Sequence, residues 1–120
     1  MINLTLDDVL KDVAESFNLT AEQVKSPFRG GKMTRARHLF VYVTILLEGE
    51  DSGATNVARC LNKDHSIVSK FRKKVINFIE VEDEIFINDF LNYKSTSKLW
   101  EIIRSQSTKK LEDYATAITK

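Results

Sequence analysis

The sequence predicts an all-α protein, a bundle of about five to seven helices that contains a helix-turn-helix. Apolar residues recur at three- and four-residue spacings through most of the chain, and strand-like alternation of any length is absent from the sequence. Capping residues stand before several of the apolar segments. With 120 residues and 42% hydrophobic side chains, one modest core is expected.

Two capping boxes predict the first two helices. Thr5 opens a helix that should end near Phe17, and Thr20 opens a second helix of one or two turns. Each threonine is followed three residues later by a side chain that can return the hydrogen bond. Pro27 should stop the second helix, because proline disfavours helical backbone at the residue before it.

A basic loop over residues 28–32 is predicted next, followed by a helix over about residues 34–47. The first turn of this helix contains Arg35, Arg37 and His38. Cations at that end oppose the helix dipole by a few tenths to about 1 kcal/mol each at low salt. A phosphate nearby would reverse the cost, so an anionic partner is expected at this place.

The helix-turn-helix consists of a short helix over residues 54–61, a tight turn and a longer helix that continues to about Ile79 or Val81. Asp64 is the expected N-cap of the longer helix, because its carboxylate can accept hydrogen bonds from the first backbone N–H groups. The periodicity then predicts a buried apolar side and an exposed polar front, which comprises His65, Ser66, Ser69 and Lys70.

The C-terminal third is predicted to add one helix over about residues 85–91 and the start of another near residues 98–103. Periodicity is weak beyond residue 105, so the end of the chain is predicted to fray. We therefore expect a helix-turn-helix domain over residues 1–95 and a helical C-terminal extension over residues 96–120.

Charge is distributed unevenly along the chain. Residues 25–74 carry a net charge of +7 and the remainder −6, although the whole chain is at +1. This segregation predicts one cationic face and a polyanionic partner. No apolar run reaches the ~20 residues that span a bilayer. Cys60 is the single cysteine and cannot form an internal disulfide, which fits a reducing cytoplasm. One Cys and two His, without carboxylates at suitable spacing, predict no metal site. The expected location is cytoplasmic and nucleoid-associated, with no membrane and no cofactor.

Three motifs carry a family resemblance. They are Arg35-Ala36-Arg37-His38, Val57-Ala58-x-x-Leu61 and Lys63-Asp64-His65-Ser66-x-Val68. Over about residues 9–79 the chain resembles the C-terminal DNA-binding domain of the DnaA chromosomal replication initiator family, whose fold is Trp-repressor-like. The family's nucleotide-binding loop is absent from the sequence, so a stand-alone domain that binds no nucleotide is expected.

The resemblance implies that Asp64, His65 and Ser66 approach base edges in the major groove, while Arg29 reaches the minor groove. The chain departs from the family pattern at Gly31, His38 and Ile67, where the family has an arginine, a glutamine and a hydroxyl residue. The target sequence is therefore expected to differ from the family's own site.

The expected function is sequence-specific binding of double-stranded DNA, related to replication initiation or its regulation. Transcription control and a mobile-element function also fit. The predicted DNA-binding residues are Arg29, Lys32, Arg35, Arg37, His38, Thr55, Lys63, Asp64, His65, Ser66, Ser69, Lys70 and Lys73. The alternative is a protein-interaction module that docks a partner, or a second copy, through residues 80–89 and the Trp100 region. An enzyme is not expected. Asp64, His65 and Ser66 superficially resemble a catalytic set, but adjacent residues on one helix point in different directions and cannot align as nucleophile, base and orienting group without other elements.

Overall fold

The computed structural model describes residues 4–28, 30–48 and 54–106, and these ranges form seven α-helices without a strand. The all-α class and the predicted number of helices are confirmed. No helix in these ranges combines the length and the apolar character needed to cross a membrane. The helices are α1 (Leu6–Ser16), α2 (Ala21–Lys25), α3 (Gly31–Glu48), α4 (Ala54–Leu61), α5 (His65–Glu80), α6 (Glu84–Thr96) and α7 (Trp100–Gln106).

Helix α3 is the centre of the bundle. Every residue from Ala36 to Leu46 is buried, because the other helices surround it. This part of α3 therefore has no single inward face. A helix enclosed by neighbours on all sides buries its whole circumference, including polar residues such as Thr44, whose Oγ1 donates to the Val41 carbonyl at 2.7 Å.

Helix α3 also begins earlier than predicted. The N–H of Thr34 donates to the Gly30 carbonyl at 2.9 Å, so the backbone is already helical at Gly31. Glycine costs about 1 kcal/mol relative to alanine in a helix, and the burial of the following turns outweighs that cost. Gly31 and Lys32 therefore belong to the first turn of α3, not to a loop.

The ends of α1, α4 and α5 share one closing motif. The residue after each C-cap adopts a left-handed conformation, with φ of 59° at Asn18, 56° at Asn62 and 55° at Glu82. In α4, the N–H of Lys63 then donates to the Ala58 carbonyl at 2.9 Å. This Schellman arrangement satisfies carbonyls that the helix leaves open. It also keeps the turn between α4 and α5 short, as predicted.

Residues 97–106 pack on the same core as the helices before them. The Trp100 side chain is buried, with its ring 5.4 Å from that of Phe90. Asp12 of α1 ties this region down, because it accepts from Tyr93 Oη at 2.7 Å and from the N–H of Lys98 at 3.0 Å. Trp100 is thus a core residue whose side chain is not open to a partner, while docking through the region around it stays a prediction. The rest of the predicted extension lies outside the described residues.

Candidate nucleic-acid interface

The helix-turn-helix is fixed to the bundle by its apolar sides. Val57 and Leu61 of α4 and Val68 and Val75 of α5 are buried between these two helices and α3. Asp64 caps α5 as predicted: its Oδ1 accepts from the N–H of Ser66 at 3.2 Å. The opposite side of α5 is left at the surface, and the cap at Asp64 fixes the residue at which the helix begins.

A stripe of polar residues runs along the exposed side of α5. It consists of Ser66, Ser69, Lys70, Lys73 and Asn77, called the α5 stripe below, and Ser69 is its half-buried member. The spacings of three and four residues place the side chains on one face. From the first to the last of them the helix rises about 16 Å. Asn77 was not predicted, although the same periodicity could have found it.

The exposed N-terminal end of α5 presents a carboxylate beside an imidazole. His65 Nδ1 lies 3.3 Å from Asp64 Oδ1, and the two side chains are 71% and 65% exposed. The cap holds this carboxylate in place, and the carboxylate in turn can orient the imidazole. Both groups can therefore meet a partner at the start of the α5 stripe.

Arg37, predicted to contact DNA, is instead an internal residue. It is 4% exposed, its Nε donates to the Val24 carbonyl at 2.7 Å and its Nη2 to the Ser26 carbonyl at 2.6 Å. Burial lowers the pKa of its guanidinium. The guanidinium hydrogen-bonds carbonyls at the C-terminal end of α2 and is not available to a phosphate. The predicted phosphate contact is therefore corrected to a structural role.

Lys63 reaches the Ser26 carbonyl as well, from the turn of the helix-turn-helix. Its Nζ donates to the carbonyls of Lys25 at 2.9 Å and of Ser26 at 2.8 Å. Burial, and then the charge of Arg37, lower the pKa of this ammonium group. We call Arg37 and Lys63 with these carbonyls the α2 clamp. In this arrangement Lys63 joins the turn to α2, which corrects its predicted role in binding DNA.

His38 is likewise buried, with 6% of its surface exposed. Its ring meets the rings of Phe71 and Phe78 edge-on, at 5.0 and 5.6 Å between centroids. Burial, and to a smaller extent the charges of Lys74 and Arg37, lower the pKa of its imidazole to about 4. His38 is therefore neutral at pH 7 and packed in an aromatic environment, which corrects its predicted contact with DNA.

Arg35 is half exposed but is already paired. Its Nε donates to Asp89 Oδ2 at 2.9 Å and its Nη2 to Asp89 Oδ1, a two-bond geometry that carboxylates favour. The hydrogen bond to Asp89 raises the pKa of the guanidinium. Arg35 thus links α3 to α6, and its predicted phosphate contact would have to compete with a carboxylate.

The remaining predicted residues are either at the surface or outside the described chain. Lys32, in the first turn of α3, and Thr55, in the first turn of α4, are exposed. Arg29 lies outside the described residues. The structure therefore brings together six predicted residues on α5, namely Asp64, His65, Ser66, Ser69, Lys70 and Lys73.

Neither a metal site nor a reactive thiol is indicated in the described part of the chain. A cluster of potential metal ligands is not found there. Cys60 Sγ donates to Asp7 Oδ1 at 3.4 Å, and burial is the main reason that the thiol pKa is raised to about 12. A thiol with such a pKa is protonated at neutral pH and is a poor nucleophile.

Searches against protein-family models, curated proteins and solved structures find no match to this chain. The candidate interface therefore rests on the residues themselves. Its strongest part is the front of α5, where a capped helix start, an imidazole and the α5 stripe share one exposed side.

Proposed function

We propose that the chain is a sequence-specific double-stranded DNA-binding protein that inserts α5 into the major groove. The exposed front of α5 carries this proposal. An α-helix with its side chains is about 10–12 Å wide, which matches the ~12 Å width of the major groove. The second helix of a helix-turn-helix enters the groove with its N-terminal residues against the bases.

In this proposal, the first residues of α5 read base edges. The Asp64 carboxylate can accept from cytosine N4, and His65 and Ser66 can donate or accept. Ile67 follows on the same turn and is half-buried, so its exposed atoms can meet a thymine methyl group. Each lost base-edge contact should cost ~1–3 kcal/mol and relax specificity at one position.

The cations of the α5 stripe supply the non-specific part of the affinity. Lys70 and Lys73 are exposed and stand four and seven residues after Ser66, so phosphates on the groove edge are their expected partners. Lys32 and Thr55 add further backbone contacts, and Arg29 enters the minor groove. The α2 clamp supports this arrangement, because it holds Ser26, two residues before the predicted basic loop, against the turn before α5.

The biological role that we propose is replication initiation or its regulation. It rests on the resemblance to the DnaA family described above, mainly on Lys63-Asp64-His65-Ser66. Two residues of the resembling motifs, Arg37 and Lys63, have internal partners here. The resemblance at these positions therefore reflects how the fold is held together, while Asp64, His65 and Ser66 carry the expected readout.

A selection from random duplex DNA tests the proposal. The wild-type chain should enrich a defined sequence, and His65→Ala should lose that preference while it keeps weak, salt-sensitive binding. Asn88→Ala, an exposed change on α6, is the matched control and should select the wild-type sequence. No duplex binding at low salt would refute the proposal. An identical preference for His65→Ala would refute the assignment of α5 as the reading helix.

A further inference from the structure

A recess opens on the side of the bundle where α3, the end of α5 and the start of α6 meet. It has a volume of about 310 Å³, and its lining includes the apolar side chains of Phe78, Ile85 and Phe86 and the charged groups of Arg35, Asp83 and Asp89. We call it the acidic recess. Aromatic and aliphatic side chains form most of its wall, and its size is at the lower end of the ~300–1,000 Å³ of small-molecule pockets. One large apolar side chain would fit such a space.

Two apolar side chains at this place are unusually exposed. Val81 is 62% and Ile85 61% exposed, and they stand on either side of the turn between α5 and α6. Isolated exposed apolar residues are common at protein surfaces. Here Ile85 also lines a recess whose surface is largely apolar, and an exposed apolar side chain that continues into such a recess is typical of a binding site.

The segment that forms one side of the acidic recess is strongly negative. Residues 80–89 contain five Asp or Glu and no Lys or Arg. Asp83 and Asp89 line the recess and are already engaged: Asp83 Oδ2 accepts from the N–H of Phe86 at 2.9 Å, and Asp89 pairs with Arg35. Glu82 and Glu84 flank Asp83 in the chain, and both are exposed. The negative charge of this segment repels nucleic acid and attracts cations.

We infer that the acidic recess docks a polypeptide segment in which a large apolar side chain is flanked by Lys or Arg. The apolar side chain would fill the recess against Phe78, Ile85 and Phe86, and the cations would pair with the exposed glutamates. Charge complementarity selects this partner over an acidic segment or a nucleic acid.

This inference goes beyond the proposed function and does not depend on it. The recess adjoins the C-terminal end of α5, whereas the proposed reading residues stand at its N-terminal end. His65 and Glu80 are fifteen residues apart along α5, which corresponds to about 22 Å. DNA and a docked segment could therefore occupy the protein together.

The test uses the full chain and a labelled synthetic amphipathic helix of Leu and Lys, with a Leu and Glu helix of the same pattern as the control probe. Fluorescence anisotropy measures affinity at low and moderate salt, and amide NMR spectra locate the site. Binding of the Leu and Lys helix should weaken with salt and shift the amides of residues 80–89. Ile85→Ser should reduce its affinity by about ten-fold, and Leu91→Ser, an exposed change elsewhere on α6, should leave it unchanged.

Three outcomes would overturn the inference. They are equal binding of both probes, amide shifts away from residues 80–89, and unchanged affinity of Ile85→Ser. Sedimentation provides a further check: a dimer that Ile85→Ser abolishes would assign the recess to a second copy of the chain instead. None of these measurements contains DNA, so failure of the proposed function would leave the test intact.

Discussion

Replacing Lys63 and Lys70 in turn distinguishes a lysine that holds the fold together from a lysine that we propose contacts DNA. Both Lys63 and Lys70 were predicted to bind DNA, but Lys63 donates to the carbonyls of Lys25 and Ser26 whereas Lys70 is exposed on the α5 stripe. The change Lys63→Met keeps most of the aliphatic side chain and removes both hydrogen bonds. Lys70→Met removes the same charge from the surface and is the matched control.

The expected magnitude follows from the two lost bonds. A hydrogen bond to a charged group contributes ~1.5–3 kcal/mol. The Ser26 carbonyl keeps its bond from Arg37, and the lysine is half-buried, so water can replace part of what is lost. We expect Lys63→Met to lower the free energy of unfolding by about 2 kcal/mol, and Lys70→Met to change it by less than about 0.5 kcal/mol.

Two assays distinguish the roles. Urea unfolding should show a lower midpoint with an unchanged slope for Lys63→Met. In duplex binding, Lys70→Met should reduce the slope of log affinity against log salt by about one, because one phosphate contact is lost. Lys63→Met should leave that slope as it is. If Lys63→Met were as stable as the wild type and reduced the slope of log affinity against log salt, Lys63 would be a phosphate contact. Its hydrogen bonds in the α2 clamp would then contribute nothing to the free energy of unfolding.

Three further changes test other parts of the fold. The pKa of His38 is lowered to about 4 in the folded chain, so protons bind the unfolded state more readily. About 2 kcal/mol of stability should therefore be lost between pH 7.5 and pH 5, and urea unfolding of His38→Phe should lack that part of the pH dependence. Glu82→Gly should stabilise by roughly 1 kcal/mol, because glycine tolerates the left-handed conformation of residue 82, whereas Glu80→Gly, within α5, should destabilise by a similar amount. Thermal unfolding would decide between these signs. Asp12→Asn weakens a buried acceptor of three hydrogen bonds and should cost about 1–3 kcal/mol, against almost nothing for the exposed Glu15→Gln. Equal unfolding midpoints for these two variants would contradict that role.

Local signals predicted much of the fold. Thr5, Thr20 and Asp64 form the expected caps, and α2 ends before Pro27 as its backbone chemistry requires. The start of α3 was missed because its glycines are a local signal for a loop, whereas the burial that makes the segment helical comes from distant elements. Periodicity predicted the buried side of α5, and residue type predicted the caps. Both signals depend only on neighbours within one or two turns.

The candidate site was less predictable, because the role of a cation depends on what it meets in space. Arg37 bonds to carbonyls 11 and 13 residues earlier in the chain, and Lys63 to carbonyls 37 and 38 residues earlier. Asp89, the partner of Arg35, is 54 residues away. The charge distribution along the sequence assigned Arg35, Arg37 and Lys63 to one cationic face. The front of α5 was predictable, since a capped helix with one apolar side must expose the other.

The α2 clamp has a consequence for the order in which the chain folds. Helix α2 contains five residues. An isolated helix of that length is unstable in water, because the free-energy cost of nucleation exceeds the stabilisation from its few backbone hydrogen bonds. Its last carbonyls are satisfied by side chains from α3 and from the turn before α5. Those two elements must therefore meet before α2 becomes stable. Helix α2 should form late in folding, and its amide hydrogens should exchange with solvent sooner than those of α3.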